Sequence, residues 1–201
     1  VTKSLSPAQA ARVPVLFKAL NGGGGLGHRV VSNPADAPTA YDRCVSEATR
    51  AFSSSSTTST PTDASAAVLC EVFLPSARHI EVQIVGDGVD AVALGTRECS
   101  AQRRFHKVVE VCPAPNLAPP VERAILDYAL RIARAAKYRG VGTMEFLVPT
   151  SPTESSSSSS TPSPYYIETN PRLQVEHTVT EEVFGVDLVA VQLALARGAR
   201  L

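Results

Sequence analysis

The stretch that decides the architecture is Ile167-Glu168-Thr169-Asn170-Pro171-Arg172-Leu173-Gln174-Val175-Glu176-His177. From position 168 to 176 every second residue is polar and able to do chemistry: Glu168, Asn170, Arg172, Gln174 and Glu176. Side chains alternate across an extended backbone, so one continuous strand would aim all five at the same side. Residues 142–149 and 165–170 are β-rich runs flanking a Ser-rich tract, and are expected to pair as antiparallel neighbours with the tract as their loop. The symmetry of that hairpin sets Glu145 near Glu168. Two adjacent carboxylates repel unless a cation sits between them, and oxygen donors such as these, with Asn170, suit Mg²⁺ carrying nucleotide phosphates. A solvated strand face is the competing interpretation.

Working outward, Lys18-Ala-Leu-Asn-Gly-Gly-Gly-Gly-Leu-Gly27 places a lysine at the end of an apolar run ahead of a glycine-rich loop. Glycine lets backbone N–H groups approach a polyphosphate, and the lysine supplies charge. The lysine precedes the glycines, so this is neither a Walker loop nor a Gly-x-Gly-x-x-Gly turn opening a helix. A phosphate cradle and a flexible β-turn both remain open. Residues 13–20 read as a buried strand, and residues 28–32 as its hairpin partner. Residues 78–85 alternate, with His79, Glu81 and Gln83 on a polar face and Ile80, Val82 and Ile84 on a core face. Gly86-Asp87-Gly88 then turns the chain into a short strand at 91–94. Residues 97–107 form a dense basic stretch expected in a connector, as solvated surface or as part of a site. Helices are expected at 40–52, 119–138 and 186–197, with a further strand at 67–74.

The chain has 201 residues, with 19 basic side chains against 19 acidic, and 44% hydrophobic residues. That is enough for one ordinary domain or two small ones with a real core. Zero net charge lacks the basic footprint of a nucleic-acid binder. No apolar run approaches the roughly 20 residues that span a bilayer, and no signal-peptide core follows Val1, so no membrane association is expected. A cytoplasmic protein is expected, with a mitochondrial one left open. The first residue is not Met, which suggests a piece of something longer. Cys44, Cys70, Cys99 and Cys112 have no zinc-ligand spacing and are expected as free, buried thiols. The Ser-rich tracts at 53–66 and 151–164 are expected as surface loops without chemistry, either inert insertions or phosphorylation sites.

The glycine loop, Arg78-His79-Ile80-Glu81-Val82-Gln83, the basic block and Glu168-Thr-Asn-Pro-Arg-Leu-Gln-Val-Glu-His-Thr-Val-Thr-Glu181, in this order, resemble the biotin carboxylase component of biotin-dependent carboxylases, in the ATP-grasp superfamily. The resemblance covers nearly the whole chain apart from the Ser tracts and the extreme N-terminus. Residues 170–183 and 193–198 look most like multidomain acyl-CoA carboxylases, with pyruvate and urea carboxylases close behind. The fold so implied is α+β: two ATP-grasp subdomains clamping nucleotide, a lid at 1–74 and a core at 75–201.

The implied reaction is ATP-driven carboxylation of biotin by bicarbonate through carboxyphosphate. By the same resemblance, Lys18 with Gly22, Gly23, Gly24, Gly25 and Gly27 would meet the ATP phosphates. Glu71 and the backbone around Leu74 would meet adenine, and His79 and Gln102 the ribose and phosphate region. Glu145, Glu168 and Asn170 would hold Mg²⁺ or Mn²⁺. Lys107, Arg172, Gln174 and Val175 would hold bicarbonate, with Glu176 as its general base and Arg172 stabilising the biotin enolate. The implied partners are biotin on a carrier domain and a carboxyltransferase domain or subunit, in a homo-oligomeric parent.

Where the family reads Gln-Arg-Arg-His-Gln-Lys, this chain has Gln102-Arg-Arg-Phe-His-Lys107, which removes a ring nitrogen at 105. Further family portions would lie before Val1 and after Leu201, so the chain alone is expected to fold, bind MgATP weakly and catalyse little or nothing. A carbamoyl-phosphate-synthase-like enzyme and a catalytically inactive ATP-binding module are the alternatives.

Overall fold

The computed structural model describes residues 5, 6, 10, 12, 14–20, 27–53, 67–103, 106–150 and 162–201. They fall in two compact units, Val1–Pro75 and Ser76–Leu201. The glycines at 22–25, Phe105 and nearly all of both Ser-rich tracts lie outside the described residues.

The first unit is an antiparallel sheet of β1 (Val15–Ala19), β2 (His28–Val31) and β3 (Val68–Val72) in the order β2-β1-β3, with helix α1 (Ala37–Ser53) against one face. The strict alternation of β1 sorts its side chains: Val15, Phe17 and Ala19 are buried, while Leu16 and Lys18 face the other way. Val15 and Phe17 pack with Val31, Ala37, Cys44 and Val68, and full burial of each large side chain contributes about 1.5–3 kcal/mol. The hairpin expected from the glycine loop is formed, with Lys18 opposite His28. Gly27 stands at φ +75°, and a Cβ there would lie 2.9 Å from that of Ala19, so only glycine fits comfortably.

The second unit is an antiparallel five-stranded sheet in the order β6-β5-β4-β7-β8. Its strands are β4 (Ala77–Asp87), β5 (Ala91–Arg103), β6 (His106–Val111), β7 (Arg139–Pro149) and β8 (Tyr165–Asn170). One face carries Ile80, Val82, Ile84, Met144 and Phe146 against Val121, Ile125, Ala129 and Ala133 of helix α2 (Pro119–Ala135). After β8 come two short helices, α3 (His177–Phe184) and α4 (Leu188–Ala196). Gly185, left-handed at φ 62°, ends α3, and the Asp187 carboxylate caps α4 by accepting from the Ala190 amide at 2.7 Å. Leu188 and Leu195 of α4 pack with Val85 and Val141.

Two expectations are corrected. The polar alternation does not continue as one strand to Glu176: β8 stops at Asn170, and residues 171–176 turn, with the Arg172 amide donating to Asn170 and the His177 amide to Gln174. Pro171 has no amide to donate to a ladder, which is the physical reason for the stop. The basic stretch is not a connector, because β5 runs on to Arg103 and β6 starts at His106. On the polar face of β4, Glu81 and Gln83 are as buried as their apolar neighbours. Of the four cysteines, Cys44 and Cys99 are buried, Cys70 and Cys112 are half-buried, and all are free thiols. Among the described residues no helix is long and apolar enough to cross a membrane.

Gly142 of β7 lies so close to β8 that a Cβ there would stand 2.9 Å from the Asn170 carbonyl oxygen and also strike the Tyr138 side chain. Gly142→Ala is therefore expected to lower stability by about 1–3 kcal/mol in denaturant titration, as overpacking does. An unchanged midpoint would show that the two strands separate at no cost.

Candidate active site

The centre of the second unit is the ammonium of Lys107, near the start of edge strand β6. It donates to Glu81 at 2.5 Å, to Glu176 at 2.6 Å and to Glu145 at 3.1 Å. These carboxylates come from β4, from the residue preceding α3, and from β7. Glu81 and Glu145 are cross-strand partners, which puts them side by side on one face of the sheet. Glu81 is wholly buried, and Glu145 and Glu176 are nearly so. Burial acts to lower the Lys107 pKa, but the charges of Glu81 and Glu145 and the hydrogen bonds to Glu176 and Glu81 outweigh it. The net effect lies well above an ordinary lysine.

Glu145 joins this cluster to a second chain of contacts. Its carboxylate meets His79 Nε2 at 2.9 Å and accepts from Asn170 Nδ2 at 2.9 Å. The Gln102 amide nitrogen donates to His79 Nδ1 at 2.7 Å, so the imidazole carries its proton on Nε2 and gives it to Glu145. Burial alone would raise the Glu145 pKa; the hydrogen bond from His79, with the charge and hydrogen bond of Lys107, brings it down to about 2. Glu168 lies directly opposite Glu145 in the β7–β8 pairing, as the hairpin symmetry requires. Glu145, Glu168 and Asn170 thus form a set of hard oxygen donors on neighbouring strands, and this donor chemistry fits Mg²⁺.

Arg172, Gln174 and Val175 are not drawn into the lysine cluster. The Arg172 guanidinium is exposed and donates to the Leu173 carbonyl at 3.2 Å, and Val175 is 88% exposed. Gln174 is half-buried, with an Oε1 that has no hydrogen-bond partner. In the first unit, Lys18 and Glu71 share the face of the sheet opposite α1, because Lys18 pairs with Leu69 and Glu71 with Leu16. Leu74 follows β3 and is half-buried, and the Gly27 amide donates to Glu47 at 3.2 Å.

Three charged residues escaped the sequence reading. Glu81 was seen only as one of an alternating set, yet it binds both Lys107 and Arg97. Arg97 is 1% exposed and also donates to Gln83, Thr143 and Thr180. Glu110 of β6 is half-buried and has a carboxylate oxygen close to Glu81 and to the Cys99 sulfur. Burial, then the charges of Glu176 and Glu81, push its pKa up to about 7, against the opposing pull of Lys107 and Arg97.

The whole chain, residues 1–201, matches the family described as Carbamoyl-phosphate synthase L chain, ATP binding domain. The chain belongs to this family, in its biotin carboxylase branch. It is 44% identical over 189 residues to pyruvate carboxylase of Aspergillus terreus, covering 94% of this chain and 14% of that protein. The biotin carboxylase of Campylobacter jejuni, solved as a β,γ-ATP complex, superposes with TM-score 0.82 at 37% identity, over 96% of this chain and 39% of the other. The biotin carboxylase domain of Hydrogenobacter thermophilus 2-oxoglutarate carboxylase, solved with MgADP, ADP and bicarbonate, gives TM-score 0.77 at 35% identity. That match covers 94% of this chain and 37% of the other. The fold is that of an ATP-grasp biotin carboxylase domain, of which this chain is a part. It spans only 14% of the length of the pyruvate carboxylase it matches.

The signs of the two carboxylate shifts are opposite. Glu145, held at about 2, adds stability that is present above the ordinary carboxylate pKa and lost as pH falls toward 2. Glu110, raised to about 7, ionises in the fold only at a cost, so its contribution is lost as pH rises through 7. Glu110→Gln is expected to melt above the wild type at pH 8, with the gap closing by pH 5. A gap that is the same at both pH values would contradict the placement of Glu110 among these acids.

Proposed function

We propose that this chain is the bicarbonate-activating centre of a biotin-dependent carboxylase, a ligase that carboxylates biotin at the expense of ATP. The observation that carries the reading is the convergence of Glu176, Glu145 and Glu81 on the single ammonium of Lys107. It joins a candidate proton acceptor to a candidate metal ligand through the cation best placed to receive a small anion.

In this reading Lys107 and Arg172 hold bicarbonate. Lys107 acts as a point charge and Arg172 as a planar fork able to make two parallel bonds, with Gln174 and Val175 beside them. Glu176 takes the bicarbonate proton as the oxygen attacks the γ-phosphorus of ATP; a P–O bond forms, the bond to ADP breaks, and carboxyphosphate results. Carboxyphosphate breaks down to CO₂ and phosphate beside biotin; the N1′ proton passes to that phosphate, the enolate form is stabilised by Arg172, and N1′ forms its bond to the CO₂ carbon. Glu145, Glu168 and Asn170 would hold Mg²⁺, or Mn²⁺ on the same oxygens, and the ion would supply positive charge against the charge developing on the phosphates. Lys18, Gly27 and the glycines at 22–25 are assigned to the ATP phosphates, Glu71 and the Leu74 backbone to adenine, and His79 and Gln102 to the ribose and phosphate region.

The carboxyl acceptor is assigned to a carboxyltransferase domain or subunit outside this chain, with biotin delivered on a carrier domain in a homo-oligomeric parent of the cytoplasm or mitochondrion. The pyruvate carboxylase and the 2-oxoglutarate carboxylase described above support pyruvate or another 2-oxo acid as that acceptor. Glu176→Gln, made in the complete carboxylase, is expected to abolish bicarbonate-dependent ATP cleavage while leaving nucleotide binding nearly intact. Normal turnover in that variant would refute the assignment of Glu176 as base.

A further inference from the structure

We infer that Arg97, acting through Glu81 and Thr180, is a positioning residue that sets the Lys107–Glu176 pair; this rests on the carboxylase reading of the site. Arg97 touches neither member of the pair. Its guanidinium is sealed from solvent and bonded on every side: to Glu81 through Nε, to Gln83 at 2.8 Å, to Thr180 at 2.7 Å and to Thr143 at 3.2 Å.

Two of those contacts lead to the reacting centre by different routes. Glu81 gives one oxygen to Arg97 and the other to Lys107, so the lysine is held from behind by a carboxylate that Arg97 orients. Thr180 belongs to α3 and lies about one helical turn from Glu176, the residue at which that helix starts. The Val179 amide donates to the Glu176 carbonyl at 3.2 Å, so the base and the first turn move together. One planar fork therefore ties the cation on the sheet and the base on the helix to a common point. An ammonium at this position could not span the same four acceptors.

Loosening this tie should disturb the anion site and spare the nucleotide. The test uses the complete carboxylase that contains this chain, with two substitutions at Thr180, which is fully buried. Thr180→Val keeps the volume and loses the hydroxyl; Thr180→Ser keeps the hydroxyl and loses a methyl group. Thr180→Val is expected to raise the KM for bicarbonate about tenfold, the scale of one charge-assisted hydrogen bond, with the KM for MgATP unchanged. Thr180→Ser is expected to stay near the wild type, and Arg97→Lys to show the same bicarbonate-selective loss as Thr180→Val.

A role in packing alone reverses the pattern, with valine normal and serine impaired, and that result would overturn the inference, as would equal rises in both KM values. The Thr180 hydroxyl also meets the Cys112 thiol. A Cys112→Ala variant that reproduced the valine loss would overturn the assignment to Arg97. A crystal structure of the Thr180→Val carboxylase separates this inference from the functional reading. A Lys107–Glu176 distance beyond hydrogen-bond reach supports positioning even if the wild type shows no bicarbonate-stimulated ATP cleavage, a result that sinks the enzymatic reading alone. An unchanged pair overturns the positioning role.

Discussion

One lysine ammonium surrounded by three carboxylates is the constraint on which the second unit depends. Removing Glu81, Glu145 and Glu176 from water is costly, and the cost is tolerable only because Lys107 and Arg97 lie within hydrogen-bond distance of them. Three acids against two cations leave a negative excess even with Glu110 protonated. That excess is the electrostatic setting in which a divalent cation on Glu145, Glu168 and Asn170 is favourable. Buried ion pairs of this kind seldom add much net stability, but removing one partner is expensive. Their usefulness here is geometric: residues from four strands and the start of a helix are held in one arrangement.

The sheet supplies that geometry with little freedom. Antiparallel pairing puts Glu81 opposite Glu145 and Glu145 opposite Glu168, so three acids lie in a row across β4, β7 and β8. A one-residue slip in either pairing would send an acid to the apolar face covered by α2. Gly142 reinforces the register by letting β7 approach the Asn170 carbonyl closely. In the first unit the same alternation separates Phe17, turned to the core, from Lys18, turned away from it. The placement of Lys18 and Glu71 on one face therefore follows from strand parity.

Much of this was legible in the residues. The apolar run at 13–20, the alternation at 78–85 and the β-rich run at 142–149 marked strands, and the Ser-rich tract between two β-rich runs placed Glu145 opposite Glu168. The three- and four-residue spacing of Val121, Ile125, Ala129 and Ala133 marked α2. What failed to show was burial of charge. Alternation reports which residues share a face but not what covers that face, so nothing in it showed that Glu81 is buried. Arg97 suffered the same fate, because a guanidinium inside a protein has no local signature; its partners lie 14 to 83 residues away in the chain. The alternation from 168 to 176 was also persuasive enough to hide Pro171, whose missing amide ends the strand and frees Glu176 to sit at the start of α3.

The most direct measurement is of the Lys107 ammonium itself, by nitrogen-detected NMR of the folded protein at neutral pH. A lysine held by three buried acids gives a slowly exchanging ammonium signal that is lost in Lys107→Met and weakened by Glu81→Gln, and this is the expected result. An ammonium at 107 that exchanges as fast as the exposed lysines would contradict the convergence of carboxylates from which the whole site is built.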